Sequence, residues 1–124
     1  MAITLNATLR SARATAIVTE AGANAQIKLY TSAYGTLLGT LTCGATLGTV
    51  TTGVLTFGAI TQDSSADATG TFALARIYKS DGTTMVIEGL TVGTGGTDIV
   101  MNAAASTIGA AISMGSAVIT EANA

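Results

Sequence analysis

From residue 25 onward, short runs of alternating polar and apolar residues dominate the sequence. In the first run, Ile27 and Leu29 point to one side of a predicted strand, while Gln26, Lys28 and Tyr30 point to the other. This two-residue period is typical of a strand with one buried face. Further strands are predicted at residues 37–42, 47–52, 54–60, 69–79, 84–92, 99–102 and 110–121. About eight short strands within about a hundred residues indicate an antiparallel β-sandwich or barrel.

The last predicted strand, 110–121, has the same kind of pattern. We expect Ile112, Met114 and Val118 to share the buried face, and Ser113, Gly115 and Glu121 to lie on the other. The chain contains 15 glycines, and most of them fall between or at the ends of the predicted strands. Turns and bulges need a positive φ or a close backbone approach there. The glycine positions therefore support the division into short strands.

The N-terminal segment has a pattern that favours a helix. Thr4 or Asn6 can serve as its N-cap and Gly22 as its C-terminal stop. The β-branched run at residues 17–19 lowers helix propensity, so an earlier helix end and an extended arm are the alternatives. The apolar stripe of the helix is predicted to consist of Leu5, Leu9, Ala12 and Ala16.

The length and the low charge indicate one domain with an unusual surface. The chain has 124 residues, which we divide into an N-terminal helix or arm (1–22) and a single β-sandwich domain (23–124). Charged residues make up 10% of it, against about 25% in ordinary soluble domains. A long charged side chain costs up to ~2 kcal/mol to immobilise, whereas Ala and Gly cost almost nothing. Such a surface is suited to burial against another protein.

The charge and cysteine content argue against several classes of partner. The net charge is −2 and the basic residues form no dense cluster, which disfavours nucleic-acid binding. The single cysteine, Cys43, cannot form an internal disulfide and is expected as a buried apolar residue. No stretch approaches the ~20 apolar residues of a membrane span, and polar residues interrupt the N-terminal segment where a secretion signal would be continuous. We expect a protein made in a cytoplasm that binds neither nucleic acid nor membrane.

The sequence offers few groups for catalysis. It contains no histidine, and Lys28 and Lys79, which could otherwise activate a nucleophile, lie at predicted solvent-facing positions. Asp63 and Asp67 share a polar loop, but Ca²⁺ needs six or more oxygen ligands and Asp also forms turns by itself. The glycine-rich segment 93–96 lacks the Gly-Lys-Ser/Thr ending of a phosphate-binding loop and favours a β connection. We predict no enzyme, no catalytic residues, no cofactor and no metal site.

A Ser80-Asp81-Gly82-Thr83 turn joins two of the predicted strands. A type I turn with a G1 bulge would pair Ser80 with Thr84, and counting outward places Arg76 opposite Glu88. These two side chains would form a cross-strand ion pair. On an exposed surface such a pair contributes well under ~1 kcal/mol, whereas in a subunit interface it would fix register and partner.

Residues 76–89, continued by 92–99 and Asn102, resemble small virion proteins of tailed bacteriophages. The pattern of that family is an arginine-containing strand, a Ser-Asp-Gly-Thr-Thr turn, a hydrophobic strand ending in an acidic residue and Gly, and then Val-Gly-Thr-x-Gly. The chain departs from the family at Ala75, where an aromatic residue is expected, and in its lack of proline. The looser part of the similarity covers residues 9–12, Gly22 and 27–30.

The resemblance implies a jelly-roll-like β-sandwich that serves as a capsid cement, or head-decoration, protein. Such a protein binds the outer surface of the shell built by the major capsid protein and bridges neighbouring subunits, often as a dimer or trimer. We therefore expect a structural virion protein located on the outside of the capsid. The alternative is a tail or fibre module that recognises a host surface through an aromatic-lined patch, for which Tyr30, Tyr34 and Tyr78 are available.

Two segments are the predicted contact surfaces, the N-terminal helix or arm (2–20) and the hairpin tip (79–84). The charged residues in or near them are expected to set the register of the contact. The candidate interface residues are Leu5, Leu9, Arg10, Arg13, Arg76, Lys79, Asp81 and Glu88.

Overall fold

The computed structural model describes residues 6–58 and 60–120, and it is mainly β with one short N-terminal helix, α1 (Ala7–Ala21). A 3₁₀ turn, Ser32–Tyr34, follows the first strand. The predicted mainly β, sandwich-like fold class is confirmed. The strands of the described residues are β1 (Gln26–Tyr30), β2 (Leu37–Cys43), β3 (Gly48–Thr51), β4 (Val54–Phe57), β5 (Ile60–Thr61), β6 (Gly70–Thr71), β7 (Leu74–Tyr78), β8 (Met85–Gly93), β9 (Ile99–Met101), β10 (Ala105–Ser106) and β11 (Met114–Thr120).

Several predicted strands are subdivided in the structure. The run 54–60 separates into β4 and β5, and the run 69–79 separates into β6 and β7. The second break follows from a change of partner: the Phe72 N–H donates to the Ala104 carbonyl, next to β10, at 3.0 Å, whereas the Ala73 N–H donates to the Tyr30 carbonyl of β1 at 3.0 Å. Strand β10 was not predicted, since two residues are too few to show an alternation.

Nine strands form one large curled sheet in the order β3-β4-β11-β9-β8-β7-β1-β2-β5, and β6 and β10 form a second, two-stranded sheet. Neighbouring strands are antiparallel except for β8 and β9, which run parallel with Val92 beside Ile99. The glycine-rich segment after β8 therefore connects two strands, as predicted, but the strand that follows it runs parallel to β8. Gly96, at φ 68°, supplies the left-handed conformation that so short a return requires.

The core lies on the inner face of the curled sheet. Leu29 in β1, Leu55 in β4 and Ile77 in β7 are fully buried and belong to one apolar cluster. Cys43 lies in the same cluster, and burial raises the pKa of its thiol to about 11. The prediction of a buried, apolar Cys43 is confirmed, because a thiol with this pKa stays protonated at neutral pH.

Helix α1 begins and ends at the predicted residues. The Asn6 carboxamide oxygen accepts a hydrogen bond from the Leu9 N–H at 2.8 Å, and Gly22 ends the helix at φ 70°. The helix continues through the β-branched run, so the described residues form neither the early end nor the extended arm. Its contacts with β3, β4 and β8 stabilise the last turn beyond what local propensity provides.

The predicted apolar stripe of α1 is wrong. Leu9 is 46% exposed, Ala12 and Ala16 are exposed, and Leu5 lies outside the described residues. The helix instead buries Ala14 and Ala21, with Ile17 and Val18 packed at the edge of the core. Alanines occur on two opposite sides of this helix, with Ala14 and Ala21 buried and Ala12 and Ala16 exposed, so the alanine pattern does not single out one face.

The predicted faces of β11 need one correction, and Glu121 lies outside the described residues. Ile112 is buried and Met114 packs against the core as expected, but Val118 is 38% exposed while Ala117 and Ile119 are buried. The register against β9 shifts at Gly115, between Met114 and Ser116. One extra residue moves every following side chain to the opposite face.

Candidate interaction patch on the outer face of β1, β7 and β8

Four polar side chains share the outer face of two paired strands. Strands β1 and β7 are antiparallel, with Gln26 beside Tyr78, Lys28 beside Arg76 and Tyr30 beside Leu74. The alternate residues of both strands are buried in the core, so Lys28, Tyr30, Arg76 and Tyr78 face outward. Together with Tyr34 and Glu88, we call this set the Tyr–Arg patch.

Tyr34 reaches the patch from the 3₁₀ turn after β1. Ala33 and Tyr34 have positive φ values of 56° and 54°, which folds the turn back toward the sheet. The Tyr34 hydroxyl accepts a hydrogen bond from the Gly89 N–H at 2.6 Å, and this bond ties the turn to β8. All three tyrosines of the chain therefore lie in one patch.

Arg76 is the centre of the patch. Its guanidinium carbon lies 3.8 Å from the ring centroid of Tyr34 and 5.4 Å from that of Tyr30. The two rings meet edge to face, with centroids 5.4 Å apart. Each cation–π contact contributes about 0.5–1 kcal/mol at an exposed site. The rings hold the guanidinium in place at the surface, where the Arg76 side chain remains 28% exposed.

Lys28 provides a second cation beside Arg76. Its Nζ donates a hydrogen bond to the Gly82 carbonyl at 2.9 Å and lies 4.9 Å from the ring centroid of Tyr78. The backbone register places Lys28 directly opposite Arg76 on the same face. Like charges in this position are destabilising.

The predicted ion pair between Arg76 and Glu88 is confirmed. Arg76 Nε lies 3.6 Å from Glu88 Oε2, and the Glu88 side chain is 50% exposed. This distance exceeds that of a hydrogen bond. The buried Arg76 Nε–H has no hydrogen-bond partner among the described residues, so Glu88 neutralises the guanidinium only loosely.

The hairpin register differs from the prediction near the tip. The Lys79 N–H donates to the Thr84 carbonyl at 2.9 Å, so Thr84 pairs with Lys79 and not with Ser80. Further along, the ladder shifts twice, between Ala75 and Tyr78. These shifts offset the changed turn, which is why Arg76 still lies near Glu88.

The hydroxyl groups of two of the tyrosines lie close together. Tyr30 and Tyr78 hydroxyl oxygens are 3.5 Å apart. The hydrogen bond with Tyr30, followed by Arg76 and then Lys28, lowers the pKa of Tyr78, against an opposing effect of burial. Burial first, and then the bond with Tyr78, raises the pKa of Tyr30. Of the two hydroxyls, that of Tyr78 therefore loses its proton more readily.

The candidate residues at the hairpin tip have roles in the fold. The Asp81 carboxylate accepts hydrogen bonds from the Thr84 hydroxyl at 2.6 Å and from the N–H groups of Thr84 and Thr83 at 2.9 and 2.8 Å. These bonds lower the pKa of Asp81 to about 2. Lys79 forms an ion pair with Glu20 at 2.9 Å, which fastens the end of α1 to the hairpin.

The N-terminal candidates lie away from the patch. Arg10 packs against Gly53, in the turn between β3 and β4, and the Gly53 N–H donates to the Ser11 hydroxyl at 2.9 Å. Leu9 and Arg13 are exposed on the helix. The structure therefore brings Arg76 and Glu88 together and leaves the helix residues as a separate surface.

Two further carboxylates, Asp63 and Asp98, hold loops in place. Asp63 accepts hydrogen bonds from the N–H groups of Thr40 and Ser65 at 2.9 and 3.0 Å, and Asp98 accepts from the Thr91 N–H at 3.0 Å. Within the described residues, no three His, Cys, Asp or Glu side chains are grouped in a way that could hold a metal ion.

A small pocket lies at the end of β9, beside the segment 111–113 that precedes β11. It has a volume of about 60 Å³ and is lined in part by Phe72, Met101 and Ile112. Sites that enclose a small-molecule ligand measure roughly 300 Å³ or more. No helix in the described part of the chain is long and apolar enough to cross a membrane.

The chain matches no family model, no curated protein and no solved structure. The patch is therefore interpreted from its own geometry. Sequence reasoning missed Lys28 and Tyr34 as partners of Arg76. The alternation placed Lys28 and Tyr30 on one face, but the pairing of β1 with β7 and the positive φ of Tyr34 follow from tertiary contacts.

Proposed function

We propose that this protein is a non-enzymatic structural component of a phage particle, which binds the outer surface of the assembled capsid and bridges neighbouring subunits. The observation that supports this most is the Tyr–Arg patch. Tyrosine and arginine are the residues most often responsible for affinity in protein interfaces. Here all three tyrosines lie around one of the three arginines, Arg76, on one face of a chain in which only 10% of the residues are charged.

The geometry of the patch suits protein binding. Tyr34 is fixed by its bond to Gly89, and Arg76 is held against Tyr34. Side chains that are already ordered lose little entropy on association, so more of the contact energy appears as affinity. The proposed partner is the major capsid protein, with a second copy of this chain completing a dimer or trimer. The proposed location is the outer capsid surface, after synthesis in the host cytoplasm.

The proposed mechanism is mass action. A protein that binds the assembled shell, and not its separate subunits, lowers the free energy of the shell at every occupied site. Bridging makes the second contact of each copy effectively intramolecular, which strengthens binding without new chemistry. Modest contacts repeated over the shell would resist the pressure of the packaged genome.

Co-sedimentation with undecorated heads of the phage that encodes the chain tests this function. We expect saturable binding at a fixed ratio to the major capsid protein, and loss of binding in Tyr34→Ala. Val118→Ala is the control, because Val118 is an exposed side chain that lies outside the patch, in β11. Heads that sediment without the protein would contradict the proposal.

A second function is favoured by the grouping of all three tyrosines. Aromatic rings on one face also suit a tail or fibre module that recognises a host surface. This alternative predicts saturable binding to host cells and none to heads, with the same loss in Tyr34→Ala. Running both binding assays on one preparation separates the two functions.

A further inference from the structure

We infer that the Tyr–Arg patch receives carboxylate side chains from an acidic segment of its protein partner, between Lys28 and Arg76. This inference rests on the proposed function, since it names the chemistry of the partner surface. The acidic segment would lie across the outer face of β1 and β7, where the two cations are adjacent.

The charge arrangement of the patch favours a carboxylate partner. Lys28 and Arg76 are directly opposite on neighbouring strands, a placement that costs stability in the free protein. Among the described residues, Glu88 is the one carboxylate paired with either cation. The patch thus keeps an excess positive charge in a chain whose net charge is −2. A carboxylate from a partner would remove the repulsion between the two cations. The free energy that this repulsion costs the free protein would then add to the affinity.

The two cations keep unused capacity for a partner. Glu88 lies beyond hydrogen-bond distance from the buried Arg76 Nε and is half exposed, so it neutralises the guanidinium weakly, while 28% of the Arg76 side chain stays open to a partner. Lys28 Nζ uses one of its three donors on Gly82. A guanidinium fork favours bidentate pairing with a carboxylate, and such charge-assisted bonds are stronger than neutral ones.

The surroundings of the two cations favour a peptide carboxylate over free phosphate. Phosphate sites commonly present several backbone N–H groups to the anion. At this patch the Gly89 N–H already donates to the Tyr34 hydroxyl. The cations are instead flanked by aromatic rings, which can pack against the apolar stems of Glu side chains. The surroundings therefore match a side chain on a polypeptide.

An NMR titration tests the inference on the intact chain. The probe is a hexaglutamate peptide capped at both ends, added to isotope-labelled protein at low salt, with capped hexaserine and inorganic phosphate as comparisons. We expect saturable shifts in the ring signals of Tyr30, Tyr34 and Tyr78 with hexaglutamate alone. Arg76→Gln should weaken this binding about tenfold, as the loss of a charge-assisted bond implies. Glu88→Gln should strengthen it.

Lys79→Gln is the matched control, because Lys79 is a cation of similar exposure that is paired with Glu20 outside the patch. Amide spectra confirm that each variant is folded. Equal binding of phosphate, equal weakening in Lys79→Gln, or no saturable shift at the tyrosines would each overturn the inference. If the peptide does not bind but the protein still binds heads, the inference of an acidic segment is wrong and the proposed function stands. If the peptide binds but heads do not, the proposed function is wrong and the carboxylate-binding patch stands.

Discussion

The outer faces of the two halves of the large sheet differ sharply. On β3, β4 and β11, the cross-strand neighbours Thr49, Thr56 and Val118 are exposed, small and uncharged. We call these three residues the Thr face. On β1 and β7 the equivalent positions carry Lys28 beside Arg76, surrounded by tyrosines. The two halves belong to one curled sheet and share one core. The side chains that differ between their outer faces are therefore not required by the fold.

The Thr face contains residues that a strand prefers on its exposed side, since β-branched side chains suit a pleated surface. The Tyr–Arg patch departs from this preference through a like-charged pair and two register shifts in the β7–β8 ladder. Departures from local preference in an otherwise consistent fold tend to mark function. The difference between the two faces therefore supports the proposal that the patch binds a partner, whereas the Thr face has the residues that the fold alone favours.

The inner faces of the two halves should be equivalent in energy. Leu29 beneath the patch and Leu55 beneath the Thr face are both fully buried. We expect Leu29→Ala and Leu55→Ala each to lower the free energy of unfolding by about 2–5 kcal/mol, because each leaves a cavity. Urea denaturation measures both. A much smaller loss for one of them would show that the halves differ in their cores and not only outside.

The β3–β4 turn should be less tolerant than the β7–β8 ladder. Gly53 and Gly89 have nearly equal φ values of 78° and 82°, but a Cβ on Gly53 would lie 2.9 Å from Arg10 Cβ, whereas a Cβ on Gly89 meets nothing within 4 Å. Both Ala variants carry the left-handed cost of about 1–2 kcal/mol. Gly53→Ala should lose more in thermal or urea unfolding, because α1 must shift. Equal losses would contradict the helix docking.

Threonine substitutions in the patch should affect stability less than core substitutions do. Lys28→Thr and Arg76→Thr each relieve the like-charge contact while removing cation–π contacts of about 0.5–1 kcal/mol. We expect each to change the free energy of unfolding by less than about 1 kcal/mol. Urea denaturation of both variants beside Thr56→Ala makes the measurement. A loss as large as that of Leu29→Ala would mean that the patch is needed for folding.

The smallest effect is expected at the hairpin tip, from pH. The pKa of Asp81 is lowered to about 2 in the folded chain, against an unfolded value of about 4. Between these values the unfolded state binds more protons, so the free energy of unfolding falls as the pH falls through this range. Asp81→Asn should flatten this dependence, and Thr84→Val should raise the pKa of Asp81. A carboxyl titration by NMR that shows no change in Thr84→Val would contradict the account.

Much of the fold could be predicted from the sequence because its signals are local. The caps Asn6 and Gly22 and the alternation in β1 depend on neighbouring residues. The inward face of α1 and the face switch at Gly115 could not be predicted, since alanines on two opposite sides of a helix do not show which side is buried and a one-residue bulge leaves no periodic signal. Those features are decided by packing against distant strands.

The patch could be predicted only in part. Arg76 and Glu88 lie on adjacent strands of one hairpin, so their proximity follows from a short turn even though the predicted turn pairing was wrong. Lys28 and Tyr34 come from a distant part of the chain, and their approach depends on the pairing of β1 with β7. Long-range pairing has no mark in a single sequence.

Hydroxyl-radical footprinting of the protein bound to undecorated heads tests the central claim most directly, because it reports which face is covered. The account predicts that oxidation of Tyr30, Tyr34 and Tyr78 falls on binding, while oxidation of Val118 on the Thr face stays as in the free protein. Protection of Val118 with the tyrosines still accessible, or a protein that does not bind the heads, would contradict it.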